Sequence, residues 1–558
     1  MLRRLAAALL AASAWFSAPA LAQSPADSLA RQVDAMFAQY NRQPSPGLAI
    51  AVVRDGRVVL RRGYGLADME RGVPITPSTV FDLASLSKQF TGLVVAELVE
   101  EGKVRLGDDI RRYIPELRLG RPVTVEQLLH HTSGVRDWPA TFAVAGREMS
   151  DTISYGQILR LAYAQRSLNF EPGAEYVYSN TGYNLLAEMV RRVTGRSFRA
   201  VTDERIFRPL GMRDTRVRDD LATPIPNRAL GYARAADGSW RATPNNLTAL
   251  GSSSTFSTVD DMARWMINFD RGAVGGTALS LMRTKGRLND GTPVPYAFGL
   301  EHGVYRGLPM VTHSGSWASF STYLVHLPLQ RLGIVVLANG DRTIDAQQAV
   351  IKIANIYLEN DFPPAPRSPA ATPAAAAAVT VPPAMLDQYA GLYHLGPGWY
   401  TRIRRQGMSL TSQATGEVVA PMTPRSEREF WVELYRSAMV FQRDARGRVT
   451  HLDYRGLHAP KLPETSPPSP ARLAEYAGEY ESRELGATWR VSVRNGALEM
   501  WHPRQGTLPL TWFWRDDFGS PGSVLSSVEF QRDAAGRVTG FVVNVDTRTR
   551  DIRFVRRR

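Results

Sequence analysis

The sequence predicts an α/β fold: one mixed domain whose antiparallel sheet is assembled from both ends of its segment, followed by two small antiparallel β-barrels. Three observations predict it. β-rich runs near residues 46–60 and 308–338 bracket a long stretch of helical patterning. A Pro/Ala-rich tract then interrupts the chain, and the part beyond it contains one module twice. At 558 residues the chain is longer than a single core usually grows, so at least two units are expected. Its 44% hydrophobic and 22% charged content is that of packed globular material, neither disordered nor fibrous.

Taken in order, the chain opens with Met1-Leu-Arg-Arg-Leu-Ala, two arginines ahead of an apolar run that reaches Ala20-Leu21-Ala22 before Gln23. Residues 1–22 read as a secretory signal peptide, because the run is short for a bilayer and ends in a small-residue cleavage pattern. A periplasmic or secreted protein is therefore expected, with no transmembrane span in its mature form. Leu48 to Val53 is an apolar strand, Arg54-Asp55-Gly56-Arg57 supplies turn chemistry, and Val58 to Leu60 returns as a hairpin. Ser85 to Glu101 places Phe90, Leu93, Val94, Glu97 and Leu98 at helical spacing, with Gly102 after the end. Leu308 to Thr312, Phe320 to Leu327 and Leu332 to Ala338 are short strands separated by Gly or Pro signals. The domain formed by these elements is expected to cover residues 23–360.

Residues 361–384 form the Pro/Ala-rich linker, with Ala374 to Ala378 its plainest part. Beyond it, Leu386-Asp-Gln-Tyr-Ala-Gly-Leu-Tyr393 is echoed by Leu473-Ala-Glu-Tyr-Ala-Gly-Glu-Tyr480, and Phe441-Gln-Arg-Asp-Ala-Arg-Gly-Arg-Val-Thr450 by Phe530-Gln-Arg-Asp-Ala-Ala-Gly-Arg-Val-Thr539. The two copies are expected at 385–460 and 471–558, separated by a short linker at 461–470. Units this short, rich in aromatic and β-branched residues, should close into small barrels. Neither copy shows a catalytic constellation, so a binding or covering role is expected of them.

Composition removes several kinds of chemistry. With no cysteine, disulfides, thiol nucleophiles and cysteine-ligated metal sites are excluded. The net charge of +14 is spread along the chain, with only Arg556-Arg557-Arg558 clustered. That pattern predicts a solvated basic surface and no nucleic-acid partner. Only five of the 67 basic residues are lysines: Lys88, Lys103, Lys285, Lys352 and Lys461.

That scarcity sharpens one motif. Ser85-Leu-Ser-Lys88 is the only Ser-x-x-Lys in the chain, and its spacing sets both side chains on one helical face, where an amine can take a hydroxyl proton. Arginine could not replace Lys88, since it stays protonated. The helix N-terminus favours negative charge developing at Ser85. Tyr178-Ser-Asn180 is the only Tyr-x-Asn, offering a phenol that relays a proton when its pKa is depressed and an amide that both donates and accepts. At the end of a predicted strand, His313-Ser314-Gly315-Ser316 supplies a glycine that admits substrate to the backbone and an N–H that can stabilise an oxyanion.

These three elements, in this order, resemble the serine β-lactamase and penicillin-binding protein superfamily, especially its class C side. Leu128-Leu-His-His-Thr132-Ser-Gly134, Ile206 to Met212 and Ala297-Phe-Gly-Leu300 also match its typical segments. The resemblance implies a five-stranded antiparallel sheet flanked by helices, with a helical subdomain. It implies Ser85 as nucleophile, Lys88 and Tyr178 as the proton-transfer pair without saying which is the base, and His313 completing the site. Asn180, Ser314, Gly315 and Ser316 would meet the substrate, the N–H groups of Ser85 and Ser316 forming the oxyanion hole. It implies no cofactor and no metal, with His130 and His131 belonging to a structural signature.

His313 departs from the pattern, because β-lactamases and D,D-peptidases usually carry lysine there. A mostly neutral histidine suits a substrate carboxylate less well. A His-Ser-Gly box followed by two lipocalin-like barrels is similar to the D-aminopeptidases of the superfamily, in which a barrel loop restricts what enters the site. The expected substrate is a small amide, peptide or ester, and the expected activity that of a D-aminopeptidase-like peptidase or amidase. A carboxylesterase is the alternative, then a β-lactamase or D,D-carboxypeptidase, then an envelope-binding protein with a relic hydrolase domain.

Overall fold

A computed structural model describes residues 25–341, 343–363 and 379–557. The expected signal peptide at 1–22 lies outside the described residues, as do positions 364–378 of the expected linker.

The sheet of the first domain has strands β1 (Leu48–Arg54), β2 (Arg57–Tyr64), β3 (Glu301–Tyr305), β4 (Leu308–Trp317), β5 (Phe320–Leu327) and β6 (Leu332–Ala338). They lie in the order β3-β4-β5-β6-β1-β2, every neighbouring pair antiparallel. The two ends of the domain meet where β1 pairs with β6, from Leu48 opposite Ala338 to Arg54 opposite Leu332. The sheet therefore has one strand more than the five expected. The additional strand, β3, reads Glu-His-Gly-Val-Tyr, without the apolar alternation that marks a buried strand. It is an edge strand folded back through the Arg306-Gly307 turn, both residues at positive φ.

β1 is apolar from Leu48 to Val53 because both of its faces are covered. Ala49, Ala51 and Val53 enter one core, while Leu48, Ile50 and Val52 enter the other, as a side-chain period of two requires. Helices α1 (Pro25–Phe37) and α5 (Ala346–Tyr357) close the second face, with Val33, Phe37, Val350 and Ile353 in its core. Against the first face pack α2 (Lys88–Glu100) and α4 (Val259–Arg271), with the helical subdomain around α3 (Asn180–Thr194) beyond them.

Each repeat closes into an eight-stranded antiparallel barrel, one spanning Gly391 to Leu462 and the other Gly478 to Arg556. The repeated residues have repeated jobs. The Tyr393 hydroxyl donates to the Tyr389 carbonyl (2.8 Å), and Tyr480 does the same to Tyr476 (2.7 Å). Asp444 caps its hairpin by accepting from the N–H groups of Arg446 and Arg448, and Asp533 accepts likewise from Ala535 and Arg537.

The second barrel is seated on the first domain. Val144, ending the helix Trp138–Val144, is buried in that barrel's core, and its carbonyl accepts from Trp489 Nε1 at 3.0 Å. Arg136, whose side chain is 2% exposed, ion-pairs with Glu484 and donates to the carbonyls of Arg550 (2.7 Å) and Asp551 (2.8 Å). Among the described residues no helix is long and apolar enough to cross a membrane.

Candidate active site

Ser85 sits on a strained turn. It belongs to a 3-10 turn, Ala84–Ser87, that leads into α2, so the smooth helix start expected from the sequence is replaced by a tighter one. Ala84 has φ +47, a costly conformation for a residue with a Cβ. Several bonds hold it there. The Asp82 carboxylate accepts from the Ala84 N–H (2.8 Å), Ser87 Oγ donates to the Ala84 carbonyl (2.6 Å), and Thr322 Oγ1 donates to the Leu83 carbonyl (2.9 Å).

Lys88 is fully buried, and its Nζ has three neighbours: Asn180 Oδ1 at 2.8 Å, the Ser252 carbonyl at 2.8 Å and Ser85 Oγ at 3.1 Å. Burial pushes this amine well below the ordinary lysine range; the Asp137 carboxylate opposes the shift and the Arg548 guanidinium adds to it. A neutral amine has two N–H donors. Asn180 Oδ1 and the Ser252 carbonyl can only accept, so they take both, which leaves the lone pair directed at the Ser85 hydroxyl. Asn180 is itself clamped, its backbone N–H donating to Asp137 Oδ1 (2.8 Å) and its Nδ2 to Asp137 Oδ2 (3.0 Å). Asp137 thereby fixes which end of the amide faces Lys88.

Tyr178 stands beside this pair, with Lys88 Nζ 4.8 Å from its ring centroid and the Arg548 guanidinium 5.2 Å from it. The sequence reading supposed a phenol of depressed pKa. Burial instead raises Tyr178 far above the usual phenol range, outweighing its hydrogen bond with Ser85. The phenol is thus a protonated donor and the amine the better resting base.

The His-Ser-Gly box lies inside β4, which continues to Trp317, instead of at a strand end. A methyl on Gly315 would collide with the Leu83 carbonyl and the Thr322 hydroxyl and lie 3.1 Å from the Ser85 nitrogen, so glycine is what lets the strand run against the nucleophile turn. Ser316, the next residue, lines the pocket together with Ser85. Ser314 is exposed and outside that lining.

His313 is buried, and it is not among the residues lining the pocket. Its Nδ1 is 2.6 Å from the Ser314 carbonyl, so Nδ1 carries the proton; its Nε2 then accepts from the Tyr296 hydroxyl at 2.7 Å. Burial, reinforced by Lys88, lowers its pKa to about 3, against the Ser314 hydrogen bond. It is a neutral ring with both nitrogens occupied, packed 6.3 Å from Tyr178 between ring centroids. His131, also neutral through burial, accepts from the Ser179 N–H and packs tilted against Tyr178, ring centroids 4.2 Å apart; His130 Nδ1 bonds the Tyr296 carbonyl. Both brace the site, the role expected of their signature.

The pocket, about 250 Å³, is walled by Trp138, Leu247 and Trp317 on its apolar side and by Asp137, Asp546 and Arg548 on its charged side. Asp546 and Arg548 come from the second barrel. Their loop is anchored by the Asp137 N–H donating to the Arg548 carbonyl (3.0 Å) and by Asn169 Nδ2 donating to the same oxygen (2.7 Å). Sequence reasoning named neither these two residues nor Asp137, Ser252 or Tyr296. A signal for the loop did exist. Residues 455–456 join the last two strands of the first barrel, whereas 545–551 join those of the second.

A family model described as Beta-lactamase matches residues 33–358. A D-aminopeptidase of Gluconobacter oxydans is 31% identical over 311 residues, which is 56% of this chain and 59% of that relative's length. A D-aminopeptidase of Brucella melitensis is 27% identical over 523 residues, covering 89% of this chain and 93% of the relative. Among solved structures, the octameric penicillin-binding protein homologue from Pyrococcus abyssi superposes with a TM-score of 0.52 at 20% identity, over 86% of this chain and 98% of that one.

Proposed function

Because the chain belongs to the beta-lactamase family and is a serine hydrolase, we propose that it is exported and acts as a D-aminopeptidase-like peptidase or amidase through an acyl-enzyme on Ser85. The observation that carries this reading is the place of the buried Lys88 amine, 3.1 Å from Ser85 Oγ and held there by Asn180 Oδ1 and the Ser252 carbonyl. In the reaction, Lys88 takes the Ser85 proton as Oγ attacks the substrate carbonyl. The oxyanion is met by the N–H groups of Ser85 and Ser316. Collapse expels the amine, which takes a proton from the Tyr178 hydroxyl, and Lys88 restores that proton to the phenol. Water then adds to the ester, its proton passing to Lys88, and the acid leaves as Ser85 recovers its hydrogen.

Substrate class follows from charge. With His313 neutral, the strand beside Ser85 has no fixed cation, which weakens the case for a penicillin or a D-Ala carboxylate at that place. The Asp546 carboxylate, with Asp137 deeper in the pocket, and the Arg548 guanidinium instead give the pocket groups of both signs, suited to a short peptide or amide with a free amine. The N-terminal charge and apolarity pattern supports export.

Purified protein and its Ser85→Ala variant should be assayed on D-alanine p-nitroanilide, L-alanine p-nitroanilide, a p-nitrophenyl ester and nitrocefin. Turnover of the D-anilide, absent in Ser85→Ala, is expected. Ester turnover without any amide turnover would replace the peptidase reading by the carboxylesterase one, and nitrocefin turnover alone by a β-lactamase. Recovery of the protein from the periplasm or medium, beginning at Gln23, would verify export.

A further inference from the structure

Three side chains on the first barrel, remote in sequence from the pocket, stand together for no reason the fold requires. His451 and Asp453 alternate on the strand Val449–Tyr454 and so share a face; His458, on Leu457–Leu462, lies directly opposite Asp453 in the antiparallel register. Asp453 Oδ1 is the hub, 2.5 Å from His458 Nδ1 and 3.6 Å from His451 Nε2, and the three ligand-type atoms all lie within 4.8 Å of one another.

The atoms these residues do not aim at each other are held by neighbours. His451 Nδ1 is 2.9 Å from Thr450 Oγ1, an orientation that frees Nε2 for the cluster. Asp453 Oδ2 accepts from Gln442 Nε2 at 2.7 Å, an orientation that frees Oδ1. Outer bonds of this kind orient the donors in metal centres.

The duplicated barrel supplies an internal control. It keeps the Gln-Arg-Asp-Ala-x-Gly-Arg-Val-Thr signature that precedes the cluster, yet Gly540 stands where the first copy has His451, Val542 where it has Asp453, and Arg553, paired with Val542, where it has His458. The barrel therefore closes without any of the three, and an ordinary His–Asp ion pair would need only one histidine.

We propose that His451, Asp453 and His458 form a divalent transition-metal site on the outer face of the first barrel, with zinc the ion they suit best. Two imidazole nitrogens and one carboxylate oxygen match zinc chemistry, whereas calcium and magnesium favour all-oxygen sets. Zinc bonds of about 2.0–2.1 Å bring tetrahedral donors to about 3.3 Å apart. His458, with 76% of its side chain exposed, is free to turn, opening its 2.5 Å approach to Asp453 Oδ1 toward that spacing while closing on His451 Nε2. The fourth position is left to water or to a donor from another molecule. The ion would tie Val449–Tyr454 to Leu457–Leu462, the strand that also closes the barrel on Leu392 and Tyr393.

The full chain, made without a histidine tag and stripped with a chelator, should be titrated calorimetrically with zinc chloride at pH 7.5. One zinc per chain is expected, with no heat from magnesium or calcium. His451→Ala and Asp453→Asn should each weaken binding at least tenfold, and the His451→Ala/His458→Ala double variant should abolish it. Circular dichroism and thermal unfolding of the metal-free variants should match the wild type, and D-anilide turnover should be unchanged. Cobalt(II) should give visible d–d bands with the wild type that the double variant lacks. A wild type that takes up no zinc, or a folded double variant that binds it as tightly, would overturn the site.

Discussion

A lysine acts as a base only while uncharged, and the surroundings of Lys88 favour that state by removing water and by placing Arg548 nearby. Two predictions belong here. kcat/KM should climb with pH along an acid limb lying well below the ordinary lysine pKa, because the reactive form is the deprotonated amine; a limb near pH 10 would contradict this. Lys88→Arg, which keeps the charge and cannot lose it, should lower kcat by about 10³-fold while the protein remains folded. Ser85, Lys88 and Tyr178 were legible because their spacing expresses a shared helix face and a recognisable order. Asp137, Ser252 and Arg548 were not, since a buried carboxylate acting through Asn180, a lone carbonyl and a loop from the far end of the chain leave no local pattern. Tyr178 shows a further limit: composition names a phenol, but only its burial decides the direction in which its pKa moves.

At the scale of elements, the nucleophile turn depends on what β4 and β5 press against it. Gly315→Ala has no room between the Leu83 carbonyl and the Thr322 hydroxyl, so it should displace the Ser85 turn and cost at least 10²-fold in kcat/KM, with a lower melting temperature in unfolding scans. Asp82 carries a different signature. Burial raises its pKa to about 6 from 3.8, opposed by hydrogen bonds from Ala84 and Asn245 and by the charges of Arg218 and Arg228. Its contribution to stability is fully present below pH 3.8 and is lost as the pH rises through about 6, a change on the order of 3 kcal/mol. Asp82→Asn keeps an acceptor for the Ala84 N–H, and Asn245, whose Oδ1 has no partner among the described residues, can turn that oxygen toward the new amide. The variant should therefore melt higher than wild type at pH 8, with the gap closing by pH 4; a gap independent of pH would refute the linkage. The hairpin, the three later strands and the helix after Ser85 were legible from alternation and helical spacing. β3 and the end of β4 were not, because an edge strand needs no apolar face and Ser-Gly-Ser resembles a turn until its partner strand is known.

At the scale of the whole molecule, one module has been used twice for different ends. The first barrel keeps a two-residue turn where the second extends 545–551 into the pocket, and that loop works only if the second barrel is held in place. The two-copy architecture was legible from the repeat itself, but the docking was not, since Arg136 and Glu484 are 348 positions apart and look like ordinary charges in the sequence. Their pairing is the vulnerable point. Glu484→Gln would leave the Arg136 guanidinium buried and unpaired, a loss of about 3–5 kcal/mol. The neutral amide can still accept one hydrogen bond, so the barrel itself should survive. The cost should then fall on the contact between barrel and catalytic domain, and the loop anchored beside Asp137 should loosen with it. Calorimetry should show the unfolding of wild type resolve into separate catalytic-domain and barrel transitions. Steady-state assays should show KM for D-alanine p-nitroanilide rise severalfold, while longer peptides excluded by the seated loop gain turnover. A Glu484→Gln protein with one unshifted transition and unchanged selectivity would mean that Val144, Trp489 and the Arg504–Asp151 pair hold the barrel in place without it.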